Sequence, residues 1–182
     1  MELFAGVDIG TSSSKVSVIN VEGQVVAKVS CSHKTNFIDE IRIEQNPDDW
    51  MFSTMQAFKQ LKQSIDLKNI RAIAFTGQMI GLVCINEKGE PVRPAIIWMD
   101  QRSQSIVQQT KNKYDSLIRA ITFNPINTAY TLPRILWVKE NEPEIWNQTW
   151  KWFLPKDYVK FKFCGNATTD FSDASGTLLF DV

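Results

Sequence analysis

The sequence predicts an α/β domain, and three observations carry that reading. Residues 4–7 are apolar and Val16-Ser17-Val18-Ile19 alternates, with a glycine and hydroxyl turn between them, so two strands joined as a hairpin are expected. A helical stripe after Asn46 is followed by a continuous apolar run over residues 70–75, the pattern of a strand buried on both faces. The 182 residues suffice for one sizeable domain with its own core.

The elements follow in order. After the hairpin, Glu22-Gly23 is a turn and residues 24–30 alternate as a third antiparallel strand, so the sheet begins as a meander. Residues 34–45 show no period and read as a surface loop. Asn46 caps a helix, with Pro47 in its first turn and Asp48 and Asp49 at the positive end of the dipole. Trp50, Met51, Met55, Phe58, Leu61 and Ile65 recur at helical spacing and should face the sheet. Beyond the buried strand lies Thr76-Gly77-Gln78-Met79-Ile80-Gly81, then a strand over 82–85, a turn at Glu87-Lys88-Gly89-Glu90, and a strand over 93–98 running into Met99-Asp100-Gln101-Arg102. A polar helix begins near Gln101 and continues through residues 103–119, with Asn124-Pro125 as punctuation. Residues 132–138 form an amphipathic helix, Pro143 starts another, and a strand at Phe153 leads into a helix that Gly165 should cap. The apolar residues 178–182 read as part of an element in which the chain stops, with no tail, linker or repeat.

Three stretches carry candidate chemistry. The turn over residues 10–14 can aim several backbone N–H groups and hydroxyls at one point, an anion nest suited to phosphate. Asp8 beside it makes sense if Mg²⁺ lies between the carboxylate and the phosphates; the alternative is an ordinary tight turn with a capping Asp. Gly77-Gln78-Met79-Ile80-Gly81 at a strand's carboxyl end describes a ligand-facing loop, or a plain one. Asp100 and Arg102 lie just past a strand, where they can reach a cleft, although Asp100 could equally cap the next helix. Trp146, Trp150 and Trp152 suggest a stacking platform, but packing is the better reading.

Composition excludes several classes. Twenty basic and twenty acidic residues cancel, so neither nucleic acid nor an acidic membrane surface is an expected partner. No leader or bilayer-length apolar run is found, and a cytoplasmic protein is the simplest reading. Cys31, Cys84 and Cys164 are widely spaced and odd in number, as reduced structural thiols would be, and the single His33 excludes a multi-histidine metal site.

Taken together the chain resembles the FGGY carbohydrate kinases, and within them the bacterial xylulokinases. The matching stretches are Val7-Asp8-Ile9-Gly10-Thr11-Ser12, Glu44-Gln45-Asn46-Pro47-Asp48-Asp49-Trp50, Gly77-Gln78-Met79 and residues 93–102. Leu132-Pro133-Arg134-Ile135-Leu136-Trp137, Leu154-Pro155-Lys156-Asp157-Tyr158 and Ser172-Asp173-Ala174-Ser175-Gly176-Thr177 complete the series, in order and across the whole chain. The resemblance implies a ribonuclease H-like (actin-like ATPase) domain, a mixed sheet with flanking helices. Residues 1–182 would be the N-terminal domain, ending before its own end and before a nucleotide-binding domain. It implies transfer from ATP to a sugar hydroxyl with Mg²⁺. Asp8 would bind the metal and terminal phosphates, and Gly10, Thr11, Ser12, Ser13 and Lys15 would line the phosphate hairpin. Gln78, Met79, Ile80, Trp98, Asp100 and Arg102 would lie on or near the sugar pocket. Sugar and ATP are the expected partners, with a homodimer left open.

Two departures qualify the resemblance. Xylulokinases usually follow Gly-Gln-Met with a histidine that hydrogen-bonds the sugar; Ile80 cannot, so the preferred sugar is open. The family's general base lies further along than Val182, so this stretch alone is expected to show no kinase activity. Two other classes stand beside the kinase. A non-catalytic relative is favoured by Ile80 and opposed by the intact Asp8 turn; a chaperone-type or actin-like ATPase would not be expected to carry Gly77-Gln78-Met79 with Trp98-Met99-Asp100-Gln101-Arg102.

Overall fold

A computed structural model describes residues 2–182. Its main sheet has the order β3-β2-β1-β6. Strands β1 (Leu3–Ile9), β2 (Ser13–Asn20) and β3 (Val25–Ser32) form the expected antiparallel meander, and β6 (Ile70–Gly77) joins parallel to β1, which makes the sheet mixed. Alternation sends Leu3, Ala5, Val7, Ile9, Val16 and Val18 to one face, where all are buried. That face is covered by α1 (Pro47–Leu61), through Trp50, Ala57, Phe58 and Leu61, and by α5 (Pro155–Cys164), through Tyr158 and Val159.

The local signals at the helix ends behave as their chemistry requires. Asn46 is the N-cap of α1, its side-chain oxygen accepting from the Asp48 N–H at 3.1 Å, and Pro47 opens the first turn. Gly165 caps α5 with φ +73°, its N–H donating to the Phe161 carbonyl at 2.7 Å. A second, smaller core joins β7 (Val83–Ile85), β8 (Ala95–Ile96) and β9 (Lys151–Phe153) to α3 (Thr131–Asn141) and α4 (Pro143–Gln148), around Leu82, Cys84, Ile96, Ile135 and Val138. The buried Lys156 ammonium gathers Asp157, Asp170 and Asp173 at 2.8–2.9 Å, fixing the short helix α6 (Phe171–Ser175) beside α5.

Several expectations are corrected. Residues 34–45 are not simply a surface loop: β4 (Asn36–Phe37) and β5 (Ile43–Gln45) pair there, β5 also pairs with β8, and Glu44 and Gln45 are buried. Strand β6 is an edge, so Arg71, Ala72, Ile73 and Ala74 are exposed rather than buried on both faces. Met55 points outward at 49% exposure, and Ile65 lies past the end of α1 while still packing on the core. The strand over 93–98 shrinks to β8, and α2 (Gln104–Thr122) begins at Gln104 after Ser103, so Asp100 is not its cap. Residues 178–182 form neither helix nor strand. All three cysteines are free; burial, chiefly, raises the Cys84 thiol to about 11, whereas Cys164 is exposed. Trp146 and Trp152 pack on the second core, while Trp150 is 45% exposed beneath the Lys151 ammonium. No helix among the described residues is long and apolar enough to cross a membrane.

Candidate functional site

The carboxyl ends of the parallel strands β1 and β6 lie side by side, the usual place for a ligand in an α/β sheet. Asp8 stands there between Lys15 on β2 and Thr76 on β6, its pairing partners in register. Lys15 Nζ lies 3.7 Å from Asp8 Oδ2, both side chains a little under half exposed, so the pair remains open to a third group. The hairpin turn is tight: Gly10 N–H donates to the Ser13 carbonyl at 3.0 Å, and a Cβ on Gly10 would sit 3.1 Å from that same oxygen. At the end of β6, a Cβ on Gly77 would fall 2.6 Å from the Ile9 carbonyl, so only glycine lets the two strand ends close up. Gln78 N–H then donates to Ile9 O at 2.7 Å.

His33 supports the turn from β3's side through its N–H to Ser12 O at 3.1 Å. Burial is the largest influence on its imidazole and holds the pKa below the usual histidine value, against the opposing pull of the Gly10 backbone, Asp49 and the Ser13 backbone.

One buried side chain joins this hairpin to the Gln78 loop. Gln45 Nε2 donates to Thr11 O and Thr35 Oγ1, both at 2.6 Å, while its Oε1 accepts from Trp50 Nε1 at 2.9 Å and Gln78 Nε2 at 2.8 Å. The orientation is fixed by elimination, because a carbonyl can only accept and an indole N–H can only donate. Gln78 must therefore present its nitrogen to Gln45, which leaves Gln78 Oε1 buried without a partner. Trp98 closes the group from the other side, its Nε1 donating to Thr11 Oγ1 at 3.1 Å.

Met79 and Trp98 are 42% and 43% exposed, large apolar surfaces near the strand ends. Ile80 adopts φ +58°, a left-handed conformation rare for a β-branched residue and costing on the order of 1–3 kcal/mol. Its side chain lies against Gly176, where a Cβ would come within 2.6 Å of Ile80 Cγ2.

Asp100 and Arg102 differ from the rest, since both are buried and bonded within the protein. Asp100 Oδ2 accepts from Ile43 N–H at 2.6 Å and from Arg102 Nη2 at 2.8 Å, and its Oδ1 from Arg102 N–H and Nε. Arg102 Nη2 also meets Glu44 Oε1 at 2.8 Å, which Arg93 shares at 2.6 Å, and its guanidinium lies 5.0 Å from the Trp137 ring. Burial works against the Arg102 charge, but the bonds to Asp100 and Glu44 outweigh it and raise its pKa. The pair ties β5 to the segment after β8.

The structure thus groups Asp8, Gly10, Thr11, Ser12, Ser13 and Lys15 at the hairpin, with Gln78, Met79, Ile80 and Trp98 around the adjoining loops. Gln45 and Arg134, whose guanidinium donates to the Ile80 carbonyl at 2.6 Å and the Trp98 carbonyl at 3.0 Å, also belong to this constellation and are not among the site residues the sequence predicts. Both lie in stretches already matched to the family, and nothing local distinguishes them. Among the described residues no group of three or more His, Cys, Asp or Glu is arranged to hold a metal ion. A divalent cation at Asp8 would have to draw most of its ligands from phosphate and water, as Mg²⁺ does at nucleotide sites.

A mixed sheet with this hairpin at its ligand edge defines a class that comparison makes definite: the model of the FGGY family of carbohydrate kinases, N-terminal domain, matches residues 3–182, and the chain belongs to that family. The fold is the expected actin-like ATPase fold. The xylulose kinase of Staphylococcus xylosus is 37% identical, the alignment covering 100% of this chain and 38% of the relative. The structure of a xyloylose kinase from Brucella ovis superposes with a TM-score of 0.95 at 29% identity, covering 99% of this chain and 38% of that one. A gluconate kinase from Lactobacillus acidophilus gives 0.93 at 29%, over 99% and 37%. The chain therefore spans a little over a third of the length of these relatives.

Proposed function

We propose that this chain supplies the phosphate hairpin and part of the sugar pocket of an ATP-dependent kinase that phosphorylates a sugar hydroxyl. The observation that carries the reading is the open Asp8–Lys15 pair at the ends of two parallel strands, tied through Gln45 to the Gln78 loop and through Trp98 to Thr11. Asp8 would hold Mg²⁺, which when bound neutralises phosphate charge. Lys15 and the turn over residues 10–13 would steady the terminal phosphates, and Met79 and Trp98 would give the sugar an apolar wall. Asp100 and Arg102, buried and bonded to each other and to β5, would support the site as part of its framework. Positioning and charge neutralisation are the main demands of phosphoryl transfer, and these groups address both. The general base and the adenosine site would come from a domain that follows in the full-length protein, and ATP as donor fits a cytoplasmic location.

The substrate would be a ketopentose such as xylulose, or a related sugar or polyol. The Ile80 side chain, unable to hydrogen-bond, favours a choice other than xylulose, and it also keeps open a non-catalytic relative as the second reading. An ATP-coupled assay of the full-length protein against ketoses, polyols and aldonates decides between them. Turnover of one sugar is expected, falling by about a thousandfold or more in Asp8→Ala. A folded protein that binds nucleotide and phosphorylates none of the panel would establish the non-catalytic reading instead.

A further inference from the structure

Arg134 is fully buried on α3, yet every hydrogen bond it donates among the described residues ends on a backbone carbonyl. Nη1 reaches Ile80 O at 2.6 Å, Ala129 O, and Tyr130 O at 3.2 Å; Nη2 reaches Trp98 O at 3.0 Å. Burial lowers its pKa to about 10, so it remains charged at neutral pH. A charge without a carboxylate at bonding distance is a costly way to fill a core position, and an apolar side chain would fill it more cheaply. The carbonyls it holds explain what the charge does. Ile80 and Trp98 come from different loops, and Ile80 is the β-branched residue in the left-handed region, its carbonyl also accepting from Thr131 Oγ1 at 3.1 Å.

We propose that Arg134 is a positioning residue that locks Ile80 in its left-handed conformation and fixes Trp98 relative to it, thereby setting the width of the acceptor-sugar site. The inference rests on the sugar-kinase reading above. It assigns the two terminal guanidinium nitrogens separable tasks, while Nε is buried without a partner. A lysine could keep the Ile80, Ala129 and Tyr130 carbonyls with one ammonium, but has no second nitrogen for Trp98.

The test uses the full-length protein for kinetics and the 182-residue chain, labelled with fluorotryptophan, for fluorine NMR. Arg134→Lys is expected to raise the KM for the sugar about tenfold while the KM for ATP stays within about twofold. It should also move the Trp98 fluorine resonance. Arg134→Met should cost less in kcat/KM in an Ile80→Gly background than beside the native residue, because glycine adopts the left-handed conformation unaided. Parallel changes in both KM values, an unmoved Trp98 resonance, or equal costs in the two backgrounds would overturn the proposal; should Arg134→Met not fold, Arg134→Lys decides it. If the full-length protein phosphorylates no sugar, the kinase reading fails by itself, and the fluorine shift still decides whether Arg134 holds Trp98.

Discussion

Replacing Gln45 by leucine is the most searching test of the site's framework. The substitution roughly conserves volume and removes all four hydrogen bonds, to Thr11 O, Thr35 Oγ1, Trp50 Nε1 and Gln78 Nε2. Thr11 and Thr35 are partly exposed and can turn to water, whereas Trp50 is wholly buried and Gln78 nearly so. Two stranded donors at about 1–3 kcal/mol each, less about 1 kcal/mol gained from the apolar side chain, give a net loss of about 1–5 kcal/mol. Urea unfolding followed by tryptophan fluorescence reads this as a lower midpoint at unchanged slope. Trp50→Phe, which leaves Gln45 its other three partners, should cost only about 1 kcal/mol. Because Gln45 and Gln78 satisfy one another, the double variant with Gln78→Leu should be less damaging than the sum by about 1 kcal/mol. A loss below about 1 kcal/mol for Gln45→Leu, or strict additivity, would mean that the hairpin and the Gln78 loop are held together by something else.

Three further outcomes are expected. Since the His33 pKa is lowered in the folded state, the unfolded chain takes up its proton first as pH falls below about 6.5; stability should decline on acidification through that window, and His33→Gln should flatten the decline in midpoints measured from pH 7 to 5. Gly77→Ala should destabilise by about 2 kcal/mol or more, because the Ile9 backbone cannot retreat without parting β1 from β6; a thermal melt within a degree of the parent would contradict this. Asp100→Asn should lower stability by about 3 kcal/mol yet, on the kinase reading, leave kcat of the folded full-length protein within about tenfold, whereas a loss of a hundredfold or more would give Asp100 a role in proton transfer.

How much of this was legible depended on where the determining partner lies. Asn46 and Gly165 could be read at once because a cap and a left-handed stop are decided within four residues. The hairpin and its pairing followed from alternation, and with them the position of Asp8. The sequence predicts β6 as interior because an apolar run looks the same in the middle of a sheet as at its edge; exposure depends on a neighbour the local sequence does not name. Strands β4 and β5 leave no mark in the sequence because two or three residues cannot show a period, and β5 owes its place to β8, about fifty residues away. Asp100 and Arg102 were legible as a charged pair beside a strand. That they face inward follows from Glu44 and the Ile43 N–H, supplied by a stretch that reads as loop.

The edge formed by β6 has a consequence for handling the molecule. Ile70-Arg71-Ala72-Ile73-Ala74-Phe75 carries three strong β-formers in Ile70, Ile73 and Phe75, and beyond its pairing with β1 it borders the sheet. Within the run the one charge is Arg71, itself 3.1 Å from Glu2. A strand edge guarded so lightly is a template for whatever extended segment meets it first. At high concentration the 182-residue chain is therefore expected to recruit its own copies along this margin, and a second charge on β6 is the change that would keep it monodisperse.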